Sequence, residues 1–368
     1  MVTNKPKHIL IAPLDWGLGH TSRCVPIIRY ILSLGHIPLV AGNDSQRSFI
    51  EETFGNIEII HLNGYNISYS GWNMLAQMGM LSQMPRILKT IKEEHQWLVK
   101  LCGERQIDGI ISDNRYGLYH PGIPSVILTH QLQVRTGLGN IPDRAVQILH
   151  YQHLERFSET WIVDAQGIPN LGGKLSHPSS LPAHTTYSGL LSRFENDGEP
   201  GLESDSAFSP LVILLSGPEP QRSTLSRILW QQAIHYKGKV VFIEGSDSVI
   251  PPPAIPPAIS YYKRLTDERL APLLRSAGMV ICRSGYSTLM DLVTLRKKAI
   301  LIPTPGQTEQ EYLGRHLHKE GIFYCTKQKG FDINAALNEA RMFPYHSPAL
   351  EGAYTIYKKV VEKWINKL

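Results

Sequence analysis

Four short stretches place glycine and polar residues where an apolar run gives way to a helical pattern. The first, DWGLGHTSR (15–23), offers Gly17 and Gly19, which let the backbone turn sharply and approach a ligand closely. His20 follows at the mouth of the turn. An imidazole titrates near neutrality, so a histidine in a cleft would accept a proton; the alternative is a histidine that caps the next helix. The stretch is no P-loop, since no Gly-Lys-Ser/Thr follows, and no dinucleotide fingerprint, since Ser22 stands where a third glycine belongs.

The second, LLSGPEPQRS (214–223), sets Ser216 and Gly217 before a helix start near Glu219. Backbone N–H groups and the partial positive charge of a helix N-terminus suit an anion there, and Arg222 would add a forked contact. A plain strand-to-helix turn with Pro218 at the helix start fits equally well. The third, MVICRSGYSTLMD (279–291), turns on Arg283, Ser284 and Gly285. Ser284 would cap the helix or meet a phosphate, and Gly285 leaves the backbone open to an anion. Asp291, further along the helix, suits the paired hydroxyls of a ribose, or is an ordinary exposed helix residue. The fourth, IPTPGQTEQEYLG (302–314), reads as a capping box with Thr308 as N-cap and Glu311 three residues on. Gln310 and Glu311 in its first turn have the amide and carboxylate that sugar hydroxyls require.

The elements that position these residues alternate along almost the whole length. HILIAPL, IPLVAGN, IEIIHLNG, GIISDN, SVILTHQ and TWIVD, then LVILLSG, VVFIEG, SYYKRL, MVICRSG and AILIPTP, are apolar runs separated by polar or helical material. Continuous apolar runs suit strands buried on both faces of a parallel sheet, so the class is α/β with repeated βαβ units. SRFENDGEPGLESDSAFSP is polar and rich in Gly, Ser and Pro, and divides the chain. We read 1–191 as one doubly wound domain, 192–210 as a linker, 211–347 as a second facing domain, and 348–368 as a C-terminal helix. That helix carries Tyr354, Ile356, Val360, Val361 and Ile365 on roughly one face.

The bulk numbers agree with that reading. A chain of 368 residues with 42% hydrophobic content favours two domains with real cores. The formal charge of +5 comes without a dense basic block, which argues against nucleic acid. Four scattered cysteines form no C-x-x-C pair, so neither a disulfide framework nor a zinc site is expected and a reducing cytoplasm is the default. The first apolar run is too short for a signal peptide, and no run approaches the length of a membrane span.

The run VICRSGYSTLMDLVTLRKKAILIPTPGQTEQEYLGRHLHKEGI resembles the C-terminal signature of GT-B glycosyltransferases, and in particular MurG-like enzymes that move N-acetylglucosamine from UDP-GlcNAc to lipid-linked acceptors. The resemblance implies two Rossmann-like domains with the C-terminal helix packing back toward the first. It implies that Ser284 and Gly285 meet the diphosphate, that Thr288 lines the site, and that Asp291, shortened from the family's glutamate, holds the ribose; Arg283 in the same turn counts with the donor-binding residues. Gln310 matches the first residue of the family's Gln-Gln pair, the donor-sugar contact, and Glu311 replaces the second. DWGLGHTSR resembles the family's N-terminal glycine-rich loop, and LLSGPEPQR takes the place of its Gly/Ser-rich turn with different wording.

On that basis we expect inverting transfer of GlcNAc or a related hexose from a UDP-sugar to an acceptor hydroxyl, with no cofactor and no metal. The sequence has no D-x-D pair, so fixed donors must meet the charge that grows on the leaving phosphate, each worth about 3–4 kcal/mol in a dry site. His20 is the expected base. Asp113 in ISDNRYG is its rival, or orients it, or caps a turn. His130 in VILTHQ is a candidate acceptor contact or a structural histidine. GWNMLAQMGMLSQMPRILKTIK (71–92) holds Met74, Met78, Met80 and Met84 before Arg86, Lys89 and Lys92. Met78 and Met84 would touch a lipid-like acceptor, and the basic residues an anionic surface at the inner face of the cytoplasmic membrane; a core helix is the other reading. The rival classes are a non-catalytic nucleotide-sugar-binding subunit and a GT-B-type UDP-sugar epimerase.

Overall fold

A computed structural model describes residues 5–65, 84–133, 139–194 and 209–368. The chain divides into two compact units, Met1–Leu191 with Leu350–Leu368, and Ser192–Ala349. The first begins with β1 (His8–Pro13), α1 (Leu18–Ser33), β2 (Ile37–Gly42), α2 (Asp44–Phe54), β3 (Glu58–His61) and α3 (Met84–Glu104). It continues through β4 (Gly109–Asp113), β5 (Ser125–Thr129), α4 (Asn140–Leu154), β6 (Glu159–Ile162) and β7 (Thr185–Tyr187). All seven strands pair in parallel in the order β3-β2-β1-β4-β5-β6-β7. Ile9, Leu10, Ile11 and Ala12 of β1 are fully buried, as a strand covered on both faces requires. Strand order reverses between β1 and β4, and ligands of open α/β sheets sit at the carboxyl ends beside such a reversal.

The second unit repeats the plan with β8 (Leu211–Leu214), α5 (Gln221–Ala233), β9 (Val240–Ile243), β10 (Ile259–Tyr262), α6 (Asp267–Ser276) and β11 (Met279–Cys282). Then come α7 (Tyr286–Thr294), β12 (Ala299–Leu301), α8 (Thr308–Lys319), β13 (Tyr324–Cys325) and α9 (Ile333–Met342). Its parallel order is β10-β9-β8-β11-β12-β13, so the reversal falls between β8 and β11. The last helix, α10 (Ile356–Ile365), belongs to the first unit. Its Trp364 stacks edge-on against Trp161 of β6 at 5.7 Å, and any side chain at Gly109 of β4 would strike its ring. Gly109 is therefore the notch into which the tail helix locks.

Several details differ from the sequence reading. The short strands β7 and β13 carry too few residues to show a period. Gln307, not Thr308, precedes α8, and its side chain makes no cap; the Glu311 carboxylate accepts from Gly306 N–H at 3.0 Å. Ser192 and Arg193, read as linker, are bonded into the second unit, and residues 195–208 of that stretch lie outside the described residues. Met74, Met78 and Met80 also lie outside them, as does the Met84 side chain. From there α3 packs as a core helix through Ile91, Leu98 and Leu101, with Arg86, Lys89 and Lys92 exposed. Among the described residues no helix is long and apolar enough to cross a membrane.

Candidate active site

At the first reversal, β1 delivers the chain into a turn at Gly17, whose φ of 81° favours glycine, and α1 starts at once. Gly19 and His20 thus lie in the first helical turn. His20 does not cap that helix, because Gly17 is the N-cap and no side chain bonds there. Instead His20 Nδ1 lies 3.1 Å from Asp113 Oδ2, at the end of β4. One turn further along α1, Arg23 Nε donates to the same oxygen at 2.7 Å and Nη2 donates to Asp113 Oδ1. Arg23 Nη1 stands 3.0 Å from His130 Nδ1, just beyond β5. Asn114, at a φ of 55°, turns the chain after β4; with its amide nitrogen toward Thr129 Oγ1 and Leu128 O, its oxygen accepts from Arg23 Nη2 at 3.2 Å.

Electrostatics divide the labour. Burial would raise the Asp113 carboxyl, but the Arg23 guanidinium and His20 outweigh it and hold the group well below the usual carboxylate range. With both oxygens engaged by Arg23 and His20 and no exposure of its own, Asp113 is placed to orient His20. Burial also keeps the His20 imidazole below its ordinary value; Asp113 pulls the other way and Arg23 adds to the lowering. His20 is 16% exposed while Asp113 is fully buried. His130 is buried against Arg23, so a direct acceptor contact is not what its position shows.

A neighbouring network escaped the sequence reading. Arg115 Nε donates to Pro13 O at 3.0 Å and its Nη1 to Glu94 Oε1 at 2.8 Å, while Tyr65 donates its hydroxyl to Glu94 Oε2 at 2.7 Å. Gln46, which caps α2 jointly with Asn43, also reaches Pro13 O at 3.0 Å and Thr21 Oγ1 at 3.1 Å. Together they fix the end of β1 and so the start of α1 that carries His20.

The second reversal holds the anion corner. Gly217 sits at a φ of 102°, is exposed, and a Cβ there would meet nothing within 4 Å. α5 begins at Gln221, two residues later than expected; Pro220 at its N-cap offers no side-chain bond, but Glu219 Oε2 accepts from Ser223 N–H at 3.3 Å. Arg222 is not offered to a ligand: it pairs with Glu219 and donates to Glu244 Oε2 at 3.0 Å, and Glu244 in turn accepts from Ser226 and Tyr261. Ser216 is half-buried beside it.

The turn after β11 explains its unusual wording. Arg283 is 2% exposed and braces two segments through three carbonyls, donating to Ile302 O at 3.1 Å, Pro303 O at 3.2 Å and Gln221 O at 2.9 Å. Burial brings its pKa down to about 10, so it stays charged at neutral pH. Ser284 is fully buried and donates its hydroxyl to Gln310 O at 2.8 Å. Both residues therefore hold the turn rather than a ligand, contrary to the sequence expectation. Gly285 precedes α7 with no side-chain cap, and a Cβ on it would meet nothing within 4 Å. What the turn presents is main chain, with Thr288 half-buried one turn on. Arg283→Met leaves those carbonyls without their donor, at a cost of about 1–3 kcal/mol for each that stays buried. Urea unfolding will register that loss; wild-type stability would refute the bracing role.

Asp291 departs furthest from its expected part. It is 4% exposed, and its two oxygens accept from Ser192 Oγ at 2.8 Å and Arg193 Nε at 3.0 Å. Arg193 Nη1 donates at 3.0 Å to Asp267 as well. Asp291 thus anchors the start of the interunit connection instead of presenting an open carboxylate to a ribose. Gln310 has its amide oxygen fixed by Thr304 N–H at 2.9 Å. Among the described residues no three His, Cys, Asp or Glu side chains gather as a metal-ligand group.

Residues 261–345 match the glycosyltransferase family 28 C-terminal domain. An uncharacterized glycosyltransferase of Methanosarcina acetivorans is 23% identical over 391 residues, covering 98% of this chain and 99% of that protein. The UDP-N-acetylglucosamine--N-acetylmuramyl-(pentapeptide) pyrophosphoryl-undecaprenol N-acetylglucosamine transferase of Elusimicrobium minutum is 47% identical over 51 residues, 13% of this chain and 14% of that one. The solved glycosyltransferase SnogD from Streptomyces nogalater matches with a TM-score of 0.62 at 13% identity, covering 99% of this chain and 100% of that chain. Fold, matched domain and relatives define a glycosyltransferase of the GT-B class. Within that class its likeness is to the MurG-like enzymes.

Proposed function

We propose that the protein transfers GlcNAc or a related hexose from a UDP-sugar to an acceptor hydroxyl by one inverting displacement, without a divalent metal. The observation that carries this reading is the His20–Asp113 contact at the first strand reversal. With its Nδ1–H given to the carboxylate, the imidazole keeps a lone pair on Nε2. As the acceptor oxygen bonds to the anomeric carbon, its proton passes to Nε2. The bond from that carbon to the β-phosphate oxygen breaks, and its electron pair leaves with the UDP. A single displacement inverts the anomeric carbon.

The leaving phosphate needs fixed donors. The N-terminus of α7, which has no side-chain cap, and the unobstructed Gly217 and Gly285 turns support main-chain N–H groups in that role. UDP as the nucleotide rests on the likeness to a relative whose name states UDP-N-acetylglucosamine. Gln310 and Glu311 remain the candidate sugar contacts.

Gly285→Ala tests the donor half. Its φ of −74° and clear surroundings admit a methyl group without strain, so the melting temperature should hold. UDP affinity should fall at least about tenfold, or about 1.4 kcal/mol, as the methyl group obstructs the diphosphate. Unchanged affinity would remove the diphosphate from this turn, and transfer that stops with EDTA and returns with manganese would refute the metal-free reading.

A further inference from the structure

Arg23 has no part in the displacement above, yet it is the largest polar side chain of the first-unit cluster and is 1% exposed. We infer that Arg23 is a positioning residue whose one guanidinium fixes opposite tautomers on two histidines, His20 as a proton acceptor and His130 as a hydrogen-bond donor.

The argument starts from donor counting. A guanidinium has five N–H donors and no acceptor. Arg23 Nη1 lies 3.0 Å from His130 Nδ1, so that nitrogen must accept, and the neutral ring carries its proton on Nε2. On the other side, Nε and Nη2 engage both oxygens of Asp113. Asp113 stays ionised and acceptor-only, so His20 Nδ1 at 3.1 Å must be the protonated nitrogen and Nε2 the bare one. The two rings therefore end with opposite character at Nε2.

Charge reinforces the geometry. The groups facing His20 are Asp113 at the end of β4, Arg23 on α1 and His130 beyond β5, with the Cys24 thiol 3.9 Å from Asp113. Without Arg23 the carboxylate would be uncompensated and would draw a second proton onto His20, and an imidazolium is no base. Sequence spacing places Arg23 three residues after His20, on the same helical face.

The consequence for rate rests on the proposed role of His20, but the tautomers are measurable with no substrate. The full chain labelled with ¹⁵N-histidine is examined by two-bond ¹⁵N–¹H correlation at pH 7.5, with His20→Gln and His130→Gln used for assignment. His20 is expected as the Nδ1–H form and His130 as the Nε2–H form. Either ring in the other form overturns the inference. In Arg23→Gln the His20 titration midpoint should rise by about one unit or more, the size of a neighbouring-charge effect. In Arg23→Lys, which keeps the charge but not the fork, the midpoint should stay near wild type while His130 loses its single form. An unmoved midpoint in folded Arg23→Gln would leave Arg23 a merely structural residue and refute the inference; should that variant not fold, the wild-type and Arg23→Lys spectra decide. If both tautomers are found and His20→Ala still transfers sugar at the wild-type rate, the base role fails while the part assigned to Arg23 stands.

Discussion

His20→Ala is expected to lower the transfer rate by about 10²–10⁴-fold, the usual contribution of a positioned general base. UDP binding and melting temperature should stay near wild type, because Arg23 still holds both oxygens of Asp113 when the imidazole is gone. The pH profile adds a signature. Burial holds His20 below its ordinary value, so the wild-type rate should climb with pH through a midpoint below about 6.5. Below that midpoint the ring is imidazolium and cannot accept a proton. The variant should lose this limb along with the rate. Equal rates for the two proteins, measured with a UDP-sugar and an accepted alcohol, would take His20 out of the mechanism.

The largest stability effect is expected at Asp113. Asp113→Ala strands the Arg23 guanidinium at 1% exposure with its main counter-charge removed, and breaking such a buried pair costs about 3–5 kcal/mol. Its pH dependence follows from the sign of the shift. The folded-state value of Asp113 is depressed, so its contribution is full above the unfolded carboxylate value of about 3.9. It is lost as pH falls toward the lower folded-state value. Urea unfolding at neutral pH should therefore show a wide gap between wild type and variant, and the gap should narrow on acidification. A gap under about 1 kcal/mol at neutral pH would mean that Arg23 finds another partner and that the carboxylate does not organise the cluster.

Much of the scaffold could be read because parallel strands advertise themselves. ILIAP and MVIC are unbroken apolar runs, and both are buried in interior strands of their sheets. His20 and Asp113 are legible as candidates for a related reason: Asp113 closes β4, and His20 opens the helix that follows β1. Their pairing is only one of three readings of Asp113 at that level, because they are 93 residues apart and meet only once β1 and β4 become neighbours. Arg23 ends DWGLGHTSR, but nothing local marks it as buried. Its place three residues after His20 was the one available signal.

Spacing misled where a residue's partner lay in an unpatterned segment. Asp291 sits where a ribose carboxylate was expected, yet Arg193, from a stretch that reads as polar linker, holds it. Arg283 and Ser284 invited a phosphate reading because Arg and Ser can bind one. Their burial turns both inward onto carbonyl groups, and burial is a property that three letters in a turn do not carry.

Soaking the protein with UDP and solving that structure bears most directly on the central claim, that main-chain amides of the second unit grip the leaving nucleotide without help from a metal ion. The β-phosphate is expected against the N–H groups that open α7, beside Gly285. A diphosphate found remote from this turn, or bridged to a divalent ion by carboxylates, would contradict it.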